Sequence, residues 1–170
     1  MNGRLGWYLL VASSITMVIV GAIALLTTRP WVFPSLGPTI FIVFTAPLAA
    51  PAAPRNVFTG HLIGIIAGLV GLFAFGLYGE EFATLAQFDW RRVGTVVVAL
   101  ALTVAVMTWL GIPHAPAAAT TLIVALGLLT SPADLTVMML SVVAVIVVAW
   151  VINRIHGDRM PLWAPANVVE

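Results

Sequence analysis

Two histidines lie inside apolar stretches of this chain, and each is close to a break in a predicted helix. His114 belongs to "GIPHAPAAATTLIVAL", within 41 consecutive residues, 93–133, that contain no Asp, Glu, Lys or Arg. His61 follows "APRNVFTG" in another charge-free run. Ionisable side chains in membrane segments are rare and usually face a cavity or one another. Both histidines are therefore candidate site residues, either neutral or protonating near physiological pH; a neutral histidine that only binds a helix end is the alternative.

Two prolines favour helix starts beside these histidines. Pro38 and Pro116 are each followed by an apolar run, and proline fits the first position of a helix because that N–H lacks an intrahelical partner. The next amides, of residues 39–41 and 117–119, would then be free donors at the positive end of a helix dipole. Such donors attract anions, and at membrane depth they must be covered by protein or line a wet cavity.

The candidate anion site combines these amides with nearby polar groups. Arg55 is either a charge in the vestibule or an arginine that snorkels to the interface. The alternative is that the broken helices pack shut, with helix ends capped by Ser35 and neighbouring carbonyls. The predicted substrate-binding residues are His61, His114, Arg55, Asn56, Ser35, Gly37, Thr39, Pro116, Ala117, Ala118, Thr120 and Thr121.

Composition shows what must position these residues. The chain has 170 residues, of which 62% are hydrophobic and 8% are charged, whereas a soluble domain carries about 25% charged residues. An all-α integral membrane protein is predicted, forming a single transmembrane domain over residues 1–170. "MNGR" and the apolar run after it are read as a retained first span rather than a secretory signal.

The predicted elements form two similar halves, residues 5–79 and 93–153. Each half has a long helix, a short helix broken by proline, and a second long helix. The long helices are expected at 5–26, 57–77, 93–110 and 135–152, and the short ones at 38–47 and 116–129. Paired interrupted segments in corresponding halves are a pointer to a transport site. An interfacial helix anchored by Phe82, Phe88 and Trp90 is expected in the connector 78–92.

The third helix carries small residues at four-residue spacing. Gly60, Gly64 and Gly68 share one face, which favours close packing against another helix of the chain or against a second copy, as in a homo-oligomer.

The seven arginines predict a topology through their distribution between the two sides of the membrane. If the short helices cross, both termini share the cytoplasmic side with four arginines against three; if they re-enter, the distribution is five against two. The second count obeys the positive-inside rule better, so four spans with two re-entrant half-helices are expected, with cytoplasmic termini in an inner membrane.

Several classes of function are excluded or disfavoured. Cysteine and lysine are absent and no basic cluster exists, so thiolate chemistry and nucleic-acid binding are dropped. No metal-ligand cluster, cofactor motif or activated nucleophile can be assembled, and the acids fall in connectors or the tail. Neither an enzyme nor a metal or cofactor is expected.

Three stretches resemble the HPP family of integral membrane proteins. "APLAAPAAPRNVFTGHLIGIIAG" is similar to the segment in which Pro-Arg-Asn precedes Gly-His, and "PSLGPTIFIVFTAP" to the stretch before it. "GIPHAPAAATTLIVAL" stands where the family carries His-Pro-Pro, although Ala115 replaces the first proline. The resemblance implies four transmembrane helices and, from plant and cyanobacterial members, nitrite transport.

The resulting hypothesis is a channel or transporter for a small inorganic anion such as nitrite, moved passively or with a proton across the lipid bilayer. The resemblance carries over Arg55, Asn56, His61, His114 and Pro116 as matching positions. A channel for neutral solutes is one alternative, and a non-transporting membrane subunit or sensor is another.

Overall fold

A computed structural model describes residues 2–80 and 89–165 of the chain. These residues form helices joined by turns, with no strand among them. Four helices are long and apolar enough to cross a membrane, which confirms the predicted all-α membrane fold. The predicted connector helix with Phe82 and Phe88 falls largely outside the described residues. The helices are α1 (Asn2–Thr27), α2 (Leu36–Thr45), α3 (Pro54–Ala74), α4 (Trp90–Trp109), α5 (Ala117–Ala125) and α6 (Pro132–His156), with a short 3₁₀ helix at Ala50–Ala52.

Prolines and glycines set several helix ends. α3 and α6 begin at Pro54 and Pro132, three residues earlier than expected, because proline is well suited to the first turn of a helix. α5 ends at Ala125, earlier than expected, and Gly127 just beyond it has φ 86°, a left-handed conformation that suits glycine. Gly157 ends α6 in the same conformation, with φ 106°.

The short helices are half the length of a membrane span. α2 has 10 residues and α5 has nine, which corresponds to about 15 Å and 14 Å. The start predicted for α5, Pro116, is its N-cap residue. The start predicted for α2 is wrong, since α2 begins at Leu36 and Pro38 is its third residue. Proline is tolerated there because the first turn has no intrahelical acceptor for its missing N–H.

Three contacts define one end of the bundle, here called the terminal end. The Tyr8 hydroxyl, near the start of α1, donates to Asn153 Oδ1 near the end of α6 at 2.7 Å. Asn153 Nδ2 donates to Val43 O in the last turn of α2 at 3.0 Å. The Arg55 amide, in the first turn of α3, donates to Trp163 O in the tail at 2.9 Å. α2 therefore runs toward the terminal end, and α3 starts there.

Two arginines define the opposite end. Arg91 at the start of α4 donates to Phe75 O at 3.0 Å and to Gly76 O at 2.7 Å, just after α3. The neighbouring Arg92 donates to Leu126 O, at the end of α5, at 3.4 Å. α4 therefore starts at the opposite end, and α5 finishes there.

The half-helices consequently complete crossings of the bundle and do not turn back. The first and last parts of the described chain, near Tyr8 and Trp163, lie at the terminal end, and α1 to α6 alternate in direction. The preference for re-entrant half-helices was wrong. That preference counted Arg91 and Arg92 on the same side of the membrane as the termini. Both arginines instead lie at the opposite end of the bundle, where they bind carbonyls at the C-terminal ends of α3 and α5.

Helix packing follows a regular pattern. α3 packs most extensively against α5 and α4, and it also contacts α6; α6 in turn packs against α2 and α1. α1 packs on α2, as α4 packs on α5. Exchanging α1, α2 and α3 with α4, α5 and α6 leaves this pattern unchanged. The internal repeat remains a prediction, and this pattern supports it.

Candidate functional site

The first turns of the two half-helices meet through their hydroxyl groups. Ser35 precedes α2 and Thr120 is the fourth residue of α5, and their hydroxyl oxygens are 2.7 Å apart. Thr39, one turn into α2, donates to Ser35 O at 2.9 Å. All three side chains are fully buried. The half-helices thus bring a set of hydroxyl groups into the interior of a membrane protein.

His61 lies among these hydroxyls. It stands two turns into α3 and is fully buried. Its Nδ1 is 2.6 Å from Thr120 Oγ1, and its Nε2 is 3.0 Å from Thr39 Oγ1. One imidazole therefore joins both half-helices.

His114 completes the group from the turn before α5. Its Nδ1 is 2.8 Å from Pro51 O, and its Nε2 is 3.2 Å from His61 Nε2. The two ring centroids are 4.9 Å apart with an interplanar angle of 61°. We call Ser35, Thr39, His61, His114 and Thr120 the central cluster.

Hydrogen-bond chemistry assigns the protons of the central cluster. Pro51 O can only accept, so His114 Nδ1 carries a hydrogen, and Nε2 of a neutral His114 is an acceptor. A hydrogen on His61 Nε2 then has two acceptors, Thr39 Oγ1 at 3.0 Å and His114 Nε2 at 3.2 Å, and His61 Nδ1 accepts from Thr120. Thr120 in turn accepts from Ser35. Every hydroxyl and ring N–H of the cluster has a partner when both histidines are neutral.

The glycine face of α3 permits this approach. A Cβ at Gly60 would lie 2.9 Å from His114 Cβ, and one at Gly64 would lie 2.7 Å from Ala117 O. A Cβ at Gly68 would lie 2.6 Å from Val124 Cβ. The sequence left open whether this face meets the same chain or a second copy. α5 of the same chain fills it, so the predicted homo-oligomer would have to use another surface.

The amides at the start of α5 are not free, and this prediction was wrong. The amides of Ala117, Ala118 and Ala119 donate to carbonyls three residues earlier, at 3.0, 3.0 and 3.1 Å. The half-helix therefore begins in a tight 3₁₀ turn, which satisfies donors that an α-helix leaves open. At the start of α2, the Thr39 amide likewise reaches Ser35 O at 3.4 Å. The side chains of the central cluster, not bare amides, are the groups presented at this meeting point.

Arg55 and Asn56 lie outside the central cluster. Arg55 Nε donates to Asn56 Oδ1 at 3.1 Å, and Asn56 Nδ2 donates to Ala50 O at 2.8 Å. The next carbonyl, Pro51 O, is the acceptor for His114. Asn56 therefore holds the turn that orients His114, and Arg55 supports Asn56.

The remaining predicted residues divide between the cluster and its surroundings. Thr121 is buried beside it, with its hydroxyl 2.7 Å from that of Thr103. Gly37 is exposed in a groove between α1 and α2 and does not reach the cluster. The sequence interpretation missed Thr103 and the Pro51 carbonyl. A polar residue within the apolar helix α4 was a signal for Thr103, whereas nothing in the sequence marks one carbonyl among many.

A cavity of about 710 Å³ leads to His114 from the surface of the bundle. Its walls come from α2, the 3₁₀ turn, α4 and the connection before α5. Thr108, Gly111 and Pro113 are exposed at its edge. Among the described residues, neither Arg55 nor any other charged residue contributes to the lining, which is mainly apolar. It consists of Ile42, Pro51, Thr103, Val104, Met107, Thr108, Gly111, Ile112, Pro113, His114, Ala115 and Ala118.

The comparisons with known proteins agree with this architecture. A family model described as the HPP transmembrane region matches residues 3–161, nearly the whole chain. The chain belongs to the HPP family. No curated protein and no solved structure matches it. The family match covers both half-helices and the central cluster.

Proposed function

We propose that the chain carries a small anion, of the size of nitrite, across the membrane along a path through the central cluster. The observation that carries this proposal is a fully buried set of imidazoles and hydroxyls where two half-length helices meet. Buried polar groups in a membrane protein are costly and usually belong to a pathway. The cavity that ends at His114 supplies an approach from the surface of the bundle.

The electrostatics of the half-helices support an anion. The N-terminal ends of α2 and α5 both point toward the central cluster, and each carries a partial positive charge of about half an elementary charge. This field acts although the nearby amides are hydrogen-bonded within the turns. Hydroxyl and imidazole hydrogens are then the donors that contact the anion, in place of the predicted free amides.

An anion can pass only if the side chains of the central cluster move apart, because they fill the space between the half-helices. The hydrogen bonds within the cluster must then be replaced by hydrogen bonds to the anion. Thr39, Thr120 and the two histidines are the groups that would make this exchange. Thr121 and Thr103 would support Thr120 through the packing of α5 on α4.

A channel for a neutral solute is the second candidate, and one observation favours it. No charged residue contacts the central cluster or lines the cavity among the described residues. A small polar molecule that both donates and accepts hydrogen bonds would suit such a path.

We also propose an inner-membrane location with cytoplasmic termini and no enzymatic activity.

An uptake assay in proteoliposomes separates the two candidates. Nitrite influx is measured against protein-free vesicles, with nitrate, formate, chloride and urea as competitors. The proposal predicts protein-dependent nitrite influx that another small anion reduces and urea does not. Competition by urea alone would favour the neutral-solute channel. A chain that moves none of these solutes fits the non-transporting subunit or sensor.

A further inference from the structure

The two histidines face each other through the same nitrogen atom. His61 Nε2 and His114 Nε2 are 3.2 Å apart, a distance that accommodates one hydrogen. His114 Nδ1 is bound to a carbonyl and His61 Nδ1 to a hydroxyl, so the outer nitrogens have defined partners. Thr39 Oγ1 lies beside both Nε2 atoms, 3.0 Å from His61 Nε2 and 3.4 Å from His114 Nε2. In the neutral pair, a single ring hydrogen, on His61 Nε2, therefore faces both His114 Nε2 and the Thr39 hydroxyl.

No other titratable group faces this pair among the described residues. α2 presents Ser35 and Thr39, α5 presents Thr120, and the 3₁₀ turn presents the Pro51 carbonyl. Arg55, on the same helix as His61, is bonded to Asn56. α4 contributes Thr103 behind Thr121, and the charged or titratable groups of α6 lie near its ends, at Asp134, Arg154 and His156. Within the described part of the chain, the pair supplies the titratable proton acceptors at the meeting point of the half-helices.

We propose that the central cluster transports anions of weak acids together with one proton and releases them as the neutral acid. This inference rests on the proposed function and names its substrate class. Small carboxylates and nitrite belong to that class, whereas nitrate and chloride do not.

The geometry gives the order of events. A second proton taken from the cavity binds His114 Nε2, so that two N–H groups point at each other and the rings must separate. An oxygen of the anion then accepts from both N–H groups and balances the added charge. One N–H bond breaks and an O–H bond forms on the anion, and the nitrogen keeps the electron pair. The neutral acid leaves, and the pair restores its shared hydrogen.

Anions of strong acids do not accept the proton from the histidine pair. Nitrate or chloride can accept hydrogen bonds from the protonated pair, but neither takes the proton near neutral pH. The histidine pair stays charged with the anion held beside it, in a site to which the described residues bring no arginine side chain. The apolar cavity reinforces this selection, because a neutral acid partitions into it more readily than an ion.

The test uses wild-type protein in liposomes that contain a pH-sensitive dye. Formate, nitrite, nitrate and chloride gradients are imposed, and anion uptake and lumenal pH are recorded with protein-free vesicles as the baseline. We expect formate and nitrite to enter with one proton each and to acidify the lumen, at a rate independent of a potential set by valinomycin. Nitrate and chloride should enter about a hundredfold more slowly, as expected for loss of a positioned proton donor.

Two results would overturn the inference. If nitrite uptake follows the imposed potential, or if nitrate enters at the nitrite rate, the anion path still holds but the proton transfer is refuted. If no anion flux exceeds that of protein-free vesicles, both the anion path and the proton transfer are refuted. Because the wild-type comparison needs no substitution, neither result depends on a variant that folds.

Substitutions then locate the proton step. His61→Gln and His114→Gln should each lower formate uptake about a hundredfold. His156→Gln, at an exposed histidine beside Asp158 at the terminal end, is the matched control and should retain uptake. Gel filtration of each variant confirms that it is folded. Unchanged proton-coupled uptake in both cluster variants would contradict the assignment to this pair.

Discussion

The packing of α3 on α5 leads to a prediction that can be worked out from distances. An alanine at position 64 would place its Cβ 2.7 Å from Ala117 O and 3.0 Å from Thr121 Oγ1. An ordinary contact begins near 3.4 Å, so α3 and α5 must separate by several tenths of an ångström. The closest atom is backbone and cannot rotate away. Overpacking of this kind costs about 1–3 kcal/mol, against about 1 kcal/mol gained when alanine replaces glycine in a helix.

The chain supplies a matched control for this substitution. Gly21, inside α1, has no heavy atom within 4 Å of the position that a Cβ would occupy. Gly21→Ala should therefore be neutral or stabilising by up to about 1 kcal/mol. Gly64→Ala should be destabilising by up to about 2 kcal/mol, the difference between the two terms.

Equilibrium unfolding in mixed micelles of a mild detergent and dodecyl sulfate, followed by circular dichroism, measures both free energies. Equal stability of Gly64→Ala and Gly21→Ala would refute the packing of α3 on α5.

Four further predictions concern topology, tautomers and the helix ends. Single cysteines at Leu48 and Leu162 should react with an impermeant maleimide from the same side of the membrane, and one at Leu128 from the other; labelling of Leu48 and Leu162 from opposite sides would restore the re-entrant arrangement. Nitrogen NMR of labelled histidine should find the hydrogen on Nδ1 of His114 and on Nε2 of His61, and the reverse assignment for either would contradict the bonding pattern. Asn153→Ala should lower the free energy of unfolding by about 1–3 kcal/mol because Val43 O and the Tyr8 hydroxyl lose their buried partner, with no loss disproving that role. Arg91→Gln should cost about 0.5–1.5 kcal/mol through the two carbonyls after α3, measured in the same unfolding assay, and an unchanged free energy would show that these bonds do not contribute.

Features that depend on one element at a time could be predicted from the sequence. Charge-free runs predicted the four long helices, and Pro116 marked the start of α5 correctly. The histidines were identified because an ionisable group within an apolar run needs a reason to be there. The four-residue spacing of Gly60, Gly64 and Gly68 likewise predicted close packing against another helix.

Features that depend on where two elements meet could not be predicted in the same way. The free amides expected at Ala117–Ala119 are absent because the turn before α5 tightens and uses its own carbonyls. The role of Pro51 depends on a backbone oxygen that any residue would supply. The arginine count misled the topology because Arg91 and Arg92 bind helix ends, a local requirement that outweighs a small charge bias.

Nitrite influx in proteoliposomes with Thr120→Val tests the central claim most directly. Valine keeps the shape of threonine but removes the hydroxyl that joins Ser35 to His61. Thr136→Val, at an exposed threonine whose hydroxyl donates to Pro132 O of its own helix, is the control. If the path runs through the central cluster, Thr120→Val reduces the initial rate of influx well below that of Thr136→Val in equally folded samples. Equal rates for the two variants would contradict the account.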